Sequence, residues 1–420
     1  MKALILSVSA GGGHTQASEA LKKNILLRAP DSEVIIIDTL KYINPILDKV
    51  VIGGYLKSLK ISPSLFGKFY YHSESDEGIA NVTTVISSWF NEAMTFKLLP
   101  LINDVRPDIL ICTHPFPIEM VSILKGKGKI NIPCLSIVTD YYSHYLWLHQ
   151  NIDGYIVSND EMIDDMVSKG IERSTIHPFG IPVCPDFLVA SDKGETLREL
   201  DLKEGIPTIL VMGGSLGLGK IKAIYEELLK VDTEIQIIVI TGNNSKLYSE
   251  LESLKETSKK ETRIIGFTNE VNKFMRCSDL LVTKPGGLTL TESLICGIPL
   301  VLFSPLPGHE EKNGDFLYRH NLAVNITEIS DCAGIIENLL SDKTALTAMK
   351  SNCKYYSKPN AGEDIYNLIM DLISRKRSNS SSAYKISPPE TESGFEKVRN
   401  IIKIVELVFM KKFNGFHKLS

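Results

Sequence analysis

No C-x-x-C pair occurs among the seven cysteines of this 420-residue chain. An odd count without paired spacing argues against a disulfide framework or a structural zinc site. It points to reduced thiols in a cytosolic protein. No stretch reaches the roughly 18 apolar residues that span a bilayer. No apolar segment follows a basic start at the N-terminus, so no secretory signal is expected. No Asp-x-Asp pair occurs, so the sequence shows no carboxylate clamp for a metal-bound diphosphate, and no metal is expected. The net charge of −4 supplies no general attraction for nucleic acid, and none is expected as a partner.

What is present is a globular composition, 43% hydrophobic and 23% charged, in a chain long enough for more than one core. Short β-branched apolar runs alternate with helical stretches. The first series is "ALILSVS" (3–9), "VIIIDTL" (34–40), "DILICTH" (108–114), "PCLSIVTD" (133–140) and "GYIVSN" (154–159). The second is "TILVMGG" (208–214), "IQIIVITG" (235–242), "TRIIGF" (262–267), "DLLVTKPGG" (279–287) and "PLVLFSP" (299–305). Runs of this kind read as parallel strands buried on both faces. Between the two series lies the proline-rich, aperiodic "HPFGIPVCPDF" (177–187). The pattern predicts two doubly wound α/β domains, 1–183 and 184–374, facing a cleft.

Glycine-rich turns follow several of these strands. "SAGGGH" brings Gly11, Gly12, Gly13 and His14 to the start of a helix, but lacks the third glycine of a dinucleotide fingerprint. Bare backbone there admits an anion or a sugar. The helix dipole favours a neutral imidazole, so His14 reads either as a general base or as a histidine that caps or packs the loop. "VMGGSLGLGK" (211–220) repeats the device, with Gly213, Gly214, Ser215 and Gly217 offered to a diphosphate or forming a tight turn. In "TKPGGLTLTE" (283–292), Pro285, Gly286 and Gly287 end a strand. Glu292 follows one helical turn later, suited to a ribose diol or to the helix dipole. Glu310 and Asn313 stand in "GHEEKN" (308–313) at the same sheet edge.

Taken together these motifs resemble those of the processive diacylglycerol glucosyltransferases and monogalactosyldiacylglycerol synthases. Those enzymes are GT-B glycosyltransferases related to the lipid II N-acetylglucosaminyltransferase. The resemblance rests on "GGGH" (11–14), "TDYYSHYLW" (139–147), "GIPV" (180–183), "KPGGLTLTE" (284–292) and "GHEEKN" (308–313), within residues 1–372. It implies inverting transfer of a hexose, glucose by expectation, from a UDP-sugar to diacylglycerol, without a metal or other cofactor. It implies His14 as the catalytic histidine, Glu292 as the ribose ligand, and Glu310 and Asn313 near the donor sugar. His309 stands where the family has glutamine, which leaves sugar identity open.

The remaining assignments follow from the same reading. Asp140 is expected to assist catalysis by orienting the imidazole. Gly13 and Phe267 join the expected donor contacts. His144, Trp147 and Tyr70 are the expected acceptor contacts, the first two as a polar–aromatic cluster or a structural one. The aromatic- and lysine-rich stretch 41–72 suits either a membrane interface or an ordinary amphipathic helix pair. Residues 375–394 read as a polar tether. Residues 395–420, with six basic residues against two acidic, read as an amphipathic helix that anchors on anionic lipid or packs on the protein. The expectation is a peripheral enzyme on the cytoplasmic face of the membrane. Its oligomeric state is left open, as are a UDP-sugar epimerase, a polyprenyl-lipid transferase and a non-catalytic sensor.

Overall fold

The computed structural model describes residues 1–9, 12–43, 94–214, 217, 219–303, 305 and 308–379. Tyr70, Ser215, most of the 41–72 stretch and the tail beyond residue 379 lie outside the described residues.

Among the described residues, twelve strands form two six-stranded sheets. The first contains β1 (Lys2–Ser7), β2 (Glu33–Asp38), β3 (Ile109–Cys112), β4 (Cys134–Ile137), β5 (Gly154–Ile156) and β6 (Ile176–His177). The second contains β7 (Thr208–Met212), β8 (Gln236–Ile240), β9 (Thr262–Ile265), β10 (Leu280–Thr283), β11 (Leu300–Phe303) and β12 (Ala323–Ile326). Every recorded pairing is parallel. The apolar runs require it: residues such as Ile111, Leu135, Val211 and Val282 are wholly buried, which a parallel sheet under two helix layers provides.

The strand orders are β2-β1-β3-β4-β5-β6 and β12-β11-β10-β7-β8-β9. Chain direction across the sheet reverses between β1 and β3 in the first, and between β7 and β10 in the second. Loops leaving neighbouring strands there go to opposite faces and open a crevice at the carboxyl edge. "GGGH" leaves β1, "THP" leaves β3, "GG" leaves β7 and "KPGG" leaves β10. The motifs therefore converge on the two switch points.

Ten of the expected strands are present. The two unforeseen ones are edges: β6 has only two residues, and β12 (AVNI) carries an exposed asparagine. The helix Ala361–Asn379 falls largely within the expected second domain but packs on the first sheet. Ile365, Ile369 and Ile373, spaced one turn apart, enter the cluster of Ala3, Ile5, Leu21 and Ile25. That helix also runs past residue 375, where a tether was expected to begin. All seven cysteines are free. Among the described residues no helix is long and apolar enough to cross a membrane.

Because Ile369 is wholly buried beneath β1, Ile369→Ala should cost about 2–5 kcal/mol of unfolding free energy. Urea titration followed by circular dichroism measures it. An unchanged midpoint would detach the returning helix from the first core.

Candidate active site

The helix Gly13–Arg28 begins after Gly12, whose φ of 90° is a turn that favours glycine. Position 14 is thereby turned towards β3. His14 Nδ1 lies 2.8 Å from the Thr113 carbonyl oxygen. A carbonyl only accepts, so this nitrogen carries the proton and Nε2 keeps its lone pair. Thr139 Oγ1 lies 2.9 Å from the same nitrogen. Ser18 braces the arrangement: its hydroxyl donates to the His14 carbonyl at 2.9 Å and meets Thr113 Oγ1 at 2.9 Å.

The surroundings keep the imidazole neutral. Burial lowers the His14 pKa below 6.5, opposed by the Asp140 charge and the Thr113 hydrogen bond, and helped by His309. Burial is the largest of these influences. The His114 ring meets His14 edge to face at a centroid distance of 4.6 Å. Its own pKa is driven well below the ordinary value by burial, then by His14. Its Nδ1 accepts from the Phe116 N–H at 3.1 Å and caps the helix Pro115–Gly126.

Asp140 does not orient His14 through a hydrogen bond to Nδ1; the Thr113 carbonyl occupies that position. The recorded partner of its Oδ1 is Asn313 Nδ2, at 3.1 Å. Asn313 is wholly buried. It also donates to the Pro285 carbonyl at 3.1 Å and accepts from the Tyr141 N–H at 2.8 Å. The residue expected beside the donor sugar thus spans the two domains.

His144 and Trp147, expected to meet the acceptor, are both buried. His144 Nδ1 accepts from the Leu146 N–H at 3.2 Å and caps the short helix Tyr145–Trp147. Trp147 sits in the first core with its ring 6.2 Å from that of His14. The exposed members of this loop are Tyr145 and Leu146. Tyr42 and Phe96, also exposed, flank residues 44–93.

On the second sheet, Gly213 follows β7 and Gly214 has a φ of 74°. Gly217 has a packing reason: a Cβ there would stand 2.1 Å from the Thr241 carbonyl oxygen. Space around Gly13 and Gly286 is open within 4 Å of an added Cβ. Phe267, just beyond β9, is exposed. Glu310 is buried and pairs with Lys284 at 3.1 Å. Glu292 has no recorded hydrogen bond or ion pair among the described residues, and burial pushes its pKa up to about 8. Among the described residues no three His, Cys, Asp or Glu side chains are grouped to hold a metal.

Thr113 and His114 join this assembly without having been singled out in the sequence, and Thr139 and Lys284, which open two of the quoted motifs, had been given no role. "CTHP" and "TKP" stand at strand ends, which was the available signal. The contacts of Thr113 and Thr139 depend on adjacency of β1, β3 and β4.

The chain matches the family model described as monogalactosyldiacylglycerol (MGDG) synthase over residues 14–183. It matches that of the glycosyltransferase family 28 C-terminal domain over residues 208–366. It is 32% identical over 384 residues to the processive diacylglycerol beta-glucosyltransferase of Bacillus pumilus (strain SAFR-032), covering 90% of this chain and 97% of the relative. Similar solved structures include Acinetobacter baumannii MurG, with a TM-score of 0.55 at 16% identity, covering 88% of this chain and 99% of that one. The S. aureus MnaA–UDP co-structure gives a TM-score of 0.56 at 14% identity, covering 89% and 98%. These structural likenesses identify the fold as GT-B, with two Rossmann-like domains.

At pH 7, nitrogen-15 NMR should find His14 neutral with its proton on Nδ1, and its titration midpoint below 6.5. A midpoint above 6.5, or a proton resident on Nε2, would contradict the hydrogen-bond assignment.

Proposed function

We propose that this chain, which belongs to the processive diacylglycerol β-glucosyltransferase family, transfers a hexose from a UDP-sugar to the hydroxyl of 1,2-diacylglycerol. The protein is a glycosyltransferase; glucose as the sugar, diacylglycerol as the acceptor, and work at the cytoplasmic membrane face are the finer parts of the proposal. The observation that carries the mechanism is the fixed tautomer of His14, with Nδ1 committed to the Thr113 carbonyl and Nε2 left to accept a proton.

In this reading the nucleotide occupies the switch point of the second sheet. Amides after β7 and at the start of the helix Gly287–Cys296 receive the diphosphate. Glu292 accepts both ribose hydroxyls, and exposed Phe267 offers a ring face to the base. The acceptor hydroxyl approaches from the first domain, past exposed Tyr145 and Leu146. His14 Nε2 takes its proton as the oxygen bonds to C1 of the sugar. The bond from C1 to the diphosphate oxygen breaks, and its electron pair leaves with UDP. Attack opposite the leaving group inverts C1 and gives a β-glycoside. Lys284 and the helix terminus offset the leaving charge, and activity should persist in a chelator.

The deciding experiment incubates radiolabelled UDP-glucose and UDP-galactose separately with diacylglycerol vesicles and reads product linkage and chain length by mass spectrometry. Label in a polyprenyl lipid instead, or no lipid product from either donor, would overturn the acceptor assignment. His14→Ala should reduce turnover by about two to four orders of magnitude while UDP binding persists. Near-parent turnover would remove His14 as the base.

Glu292 gives a separate prediction. Its pKa of about 8 leaves it largely protonated at pH 7. Ribose hydroxyls donate best to the ionised carboxylate, so UDP affinity should rise between pH 7 and 9. Glu292→Ala should weaken UDP binding by on the order of 2 kcal/mol and flatten that rise. Calorimetry showing unchanged affinity in the variant would exclude the ribose contact.

A further inference from the structure

Three consecutive residues of the first domain, Thr139–Tyr141, are held by the second. The Tyr141 N–H donates to Asn313 Oδ1 at 2.8 Å, and Asn313 Nδ2 donates to Asp140 Oδ1 at 3.1 Å. The Tyr141 hydroxyl lies 3.0 Å from Thr291 Oγ1. The Thr291 hydroxyl spends its own proton on the Gly287 carbonyl at 2.9 Å, so Tyr141 is the donor in this pair. Gly287 in turn abuts the carbonyl oxygen of Thr139.

The same short segment reaches the imidazole. Thr139 Oγ1 stands 2.9 Å from His14 Nδ1, and the charge of Asp140 acts on the ring. On its other side, Thr291 precedes Glu292 on the helix that opens at Gly287. Two hydrogen bonds therefore join the Gly287 carbonyl through Thr291 to the Tyr141 hydroxyl, and the peptide chain leads from Tyr141 to Asp140 and Thr139 beside His14. Tyr141 and Thr291 are both buried, and water does not compete for these bonds.

We propose that Tyr141 and Thr291 are a positioning pair, through which the second domain sets Thr139 and Asp140 against His14. Neither residue touches the reacting atoms. The pair governs transfer without governing nucleotide binding, because its hydroxyls are engaged with each other and with the Gly287 carbonyl. The inference rests on the sugar-transfer reading above.

The test is a double-mutant cycle of Tyr141→Phe, Thr291→Val and the combined variant, with Thr291→Ser as the conservative replacement. Turnover of the UDP-sugar into lipid, UDP dissociation constants and melting temperatures are measured for the full chain. Each single variant should lower kcat about five- to tenfold, the effect of one buried hydrogen bond. UDP affinity should stay within about twofold in each. The combined variant should be no slower than the slower single one, and Thr291→Ser should keep parent kcat. Parent kcat in both single variants, additive losses in the combined one, or UDP affinity falling as far as kcat would each overturn the proposal. If Tyr141→Phe does not fold, Thr291→Val decides alone: parent kcat refutes the pair, and a loss restored by Thr291→Ser supports it. Failure of the His14 assignment is separately visible, as parent turnover in His14→Ala.

Discussion

The carbonyl oxygen of Thr139 and the bare α-carbon of Gly287 meet across the domain boundary, and a Cβ at 287 would stand 2.0 Å from that oxygen. This contact sets how closely the domains approach. Gly287 is required there for space rather than for an unusual backbone angle. With the backbones this close, Asn313 reaches both Tyr141 and Asp140, and the Tyr141 hydroxyl reaches Thr291. A larger residue at 287 would lengthen all three hydrogen bonds together. Elsewhere on the boundary, Glu161 meets Arg319 and His320, and Asp160 meets Lys358. Those carboxylates are exposed, and such pairs contribute about 0–1 kcal/mol. The buried amide and hydroxyl groups fix the register, because an unpaired one costs about 1–3 kcal/mol.

The carboxyl groups around the site differ in their partners. Glu310 is buried beside Lys284, which supplies the charge partner that burial demands. Glu292 is half-buried, has no recorded partner among the described residues, and its pKa is pushed up to about 8 by burial. Burial disfavours the charged form of an acid that has no charge partner to offset it. Asp140 is shared between the Asn313 amide and the electrostatic field at His14. An imidazole in that field is pulled both ways: burial favours neutrality, while Asp140 and the Thr113 carbonyl favour charge. Burial prevails at rest, and Asp140 remains able to stabilise the imidazolium that forms when a proton arrives.

Most strands were legible because both faces of each sheet are covered, so whole segments had to be apolar. β6 escaped because two residues carry no pattern, and β12 because Asn325 interrupts it. His14 and Glu292 were legible from glycine-rich strand ends. The tautomer of His14 was not, since it depends on a backbone carbonyl 99 residues away. Asn313 was assigned to the donor side from its motif, yet its interdomain role depends on the approach of two separately folded sheets. His144 and Trp147 looked like an acceptor surface, but the loop turns them inward and exposes their neighbours Tyr145 and Leu146. The returning helix was legible as a helix; its destination was not, because an isoleucine stripe does not name the sheet it covers.

That destination bears on how the two domains move. The chain passes from the first sheet to the second after His177 and returns before Ala361. The two passages lie together: a Cβ at Gly180 would stand 2.5 Å from Lys358 Cβ. The return is anchored beside the buried Asn24, which donates to the Val183 carbonyl at 2.8 Å and leaves no room for a side chain at Gly362. Two adjacent crossings restrict twisting more than a single linker would, and favour rotation about the line that joins them. Tyr141 and Thr291 line one small cavity with Gly180 and Lys358, so the hydrogen bonds that hold the Thr139–Tyr141 segment to the second domain lie beside these crossings. The buried groups that set Asp140 against His14 are thus placed next to the double crossing, where a rotation about it would displace them least.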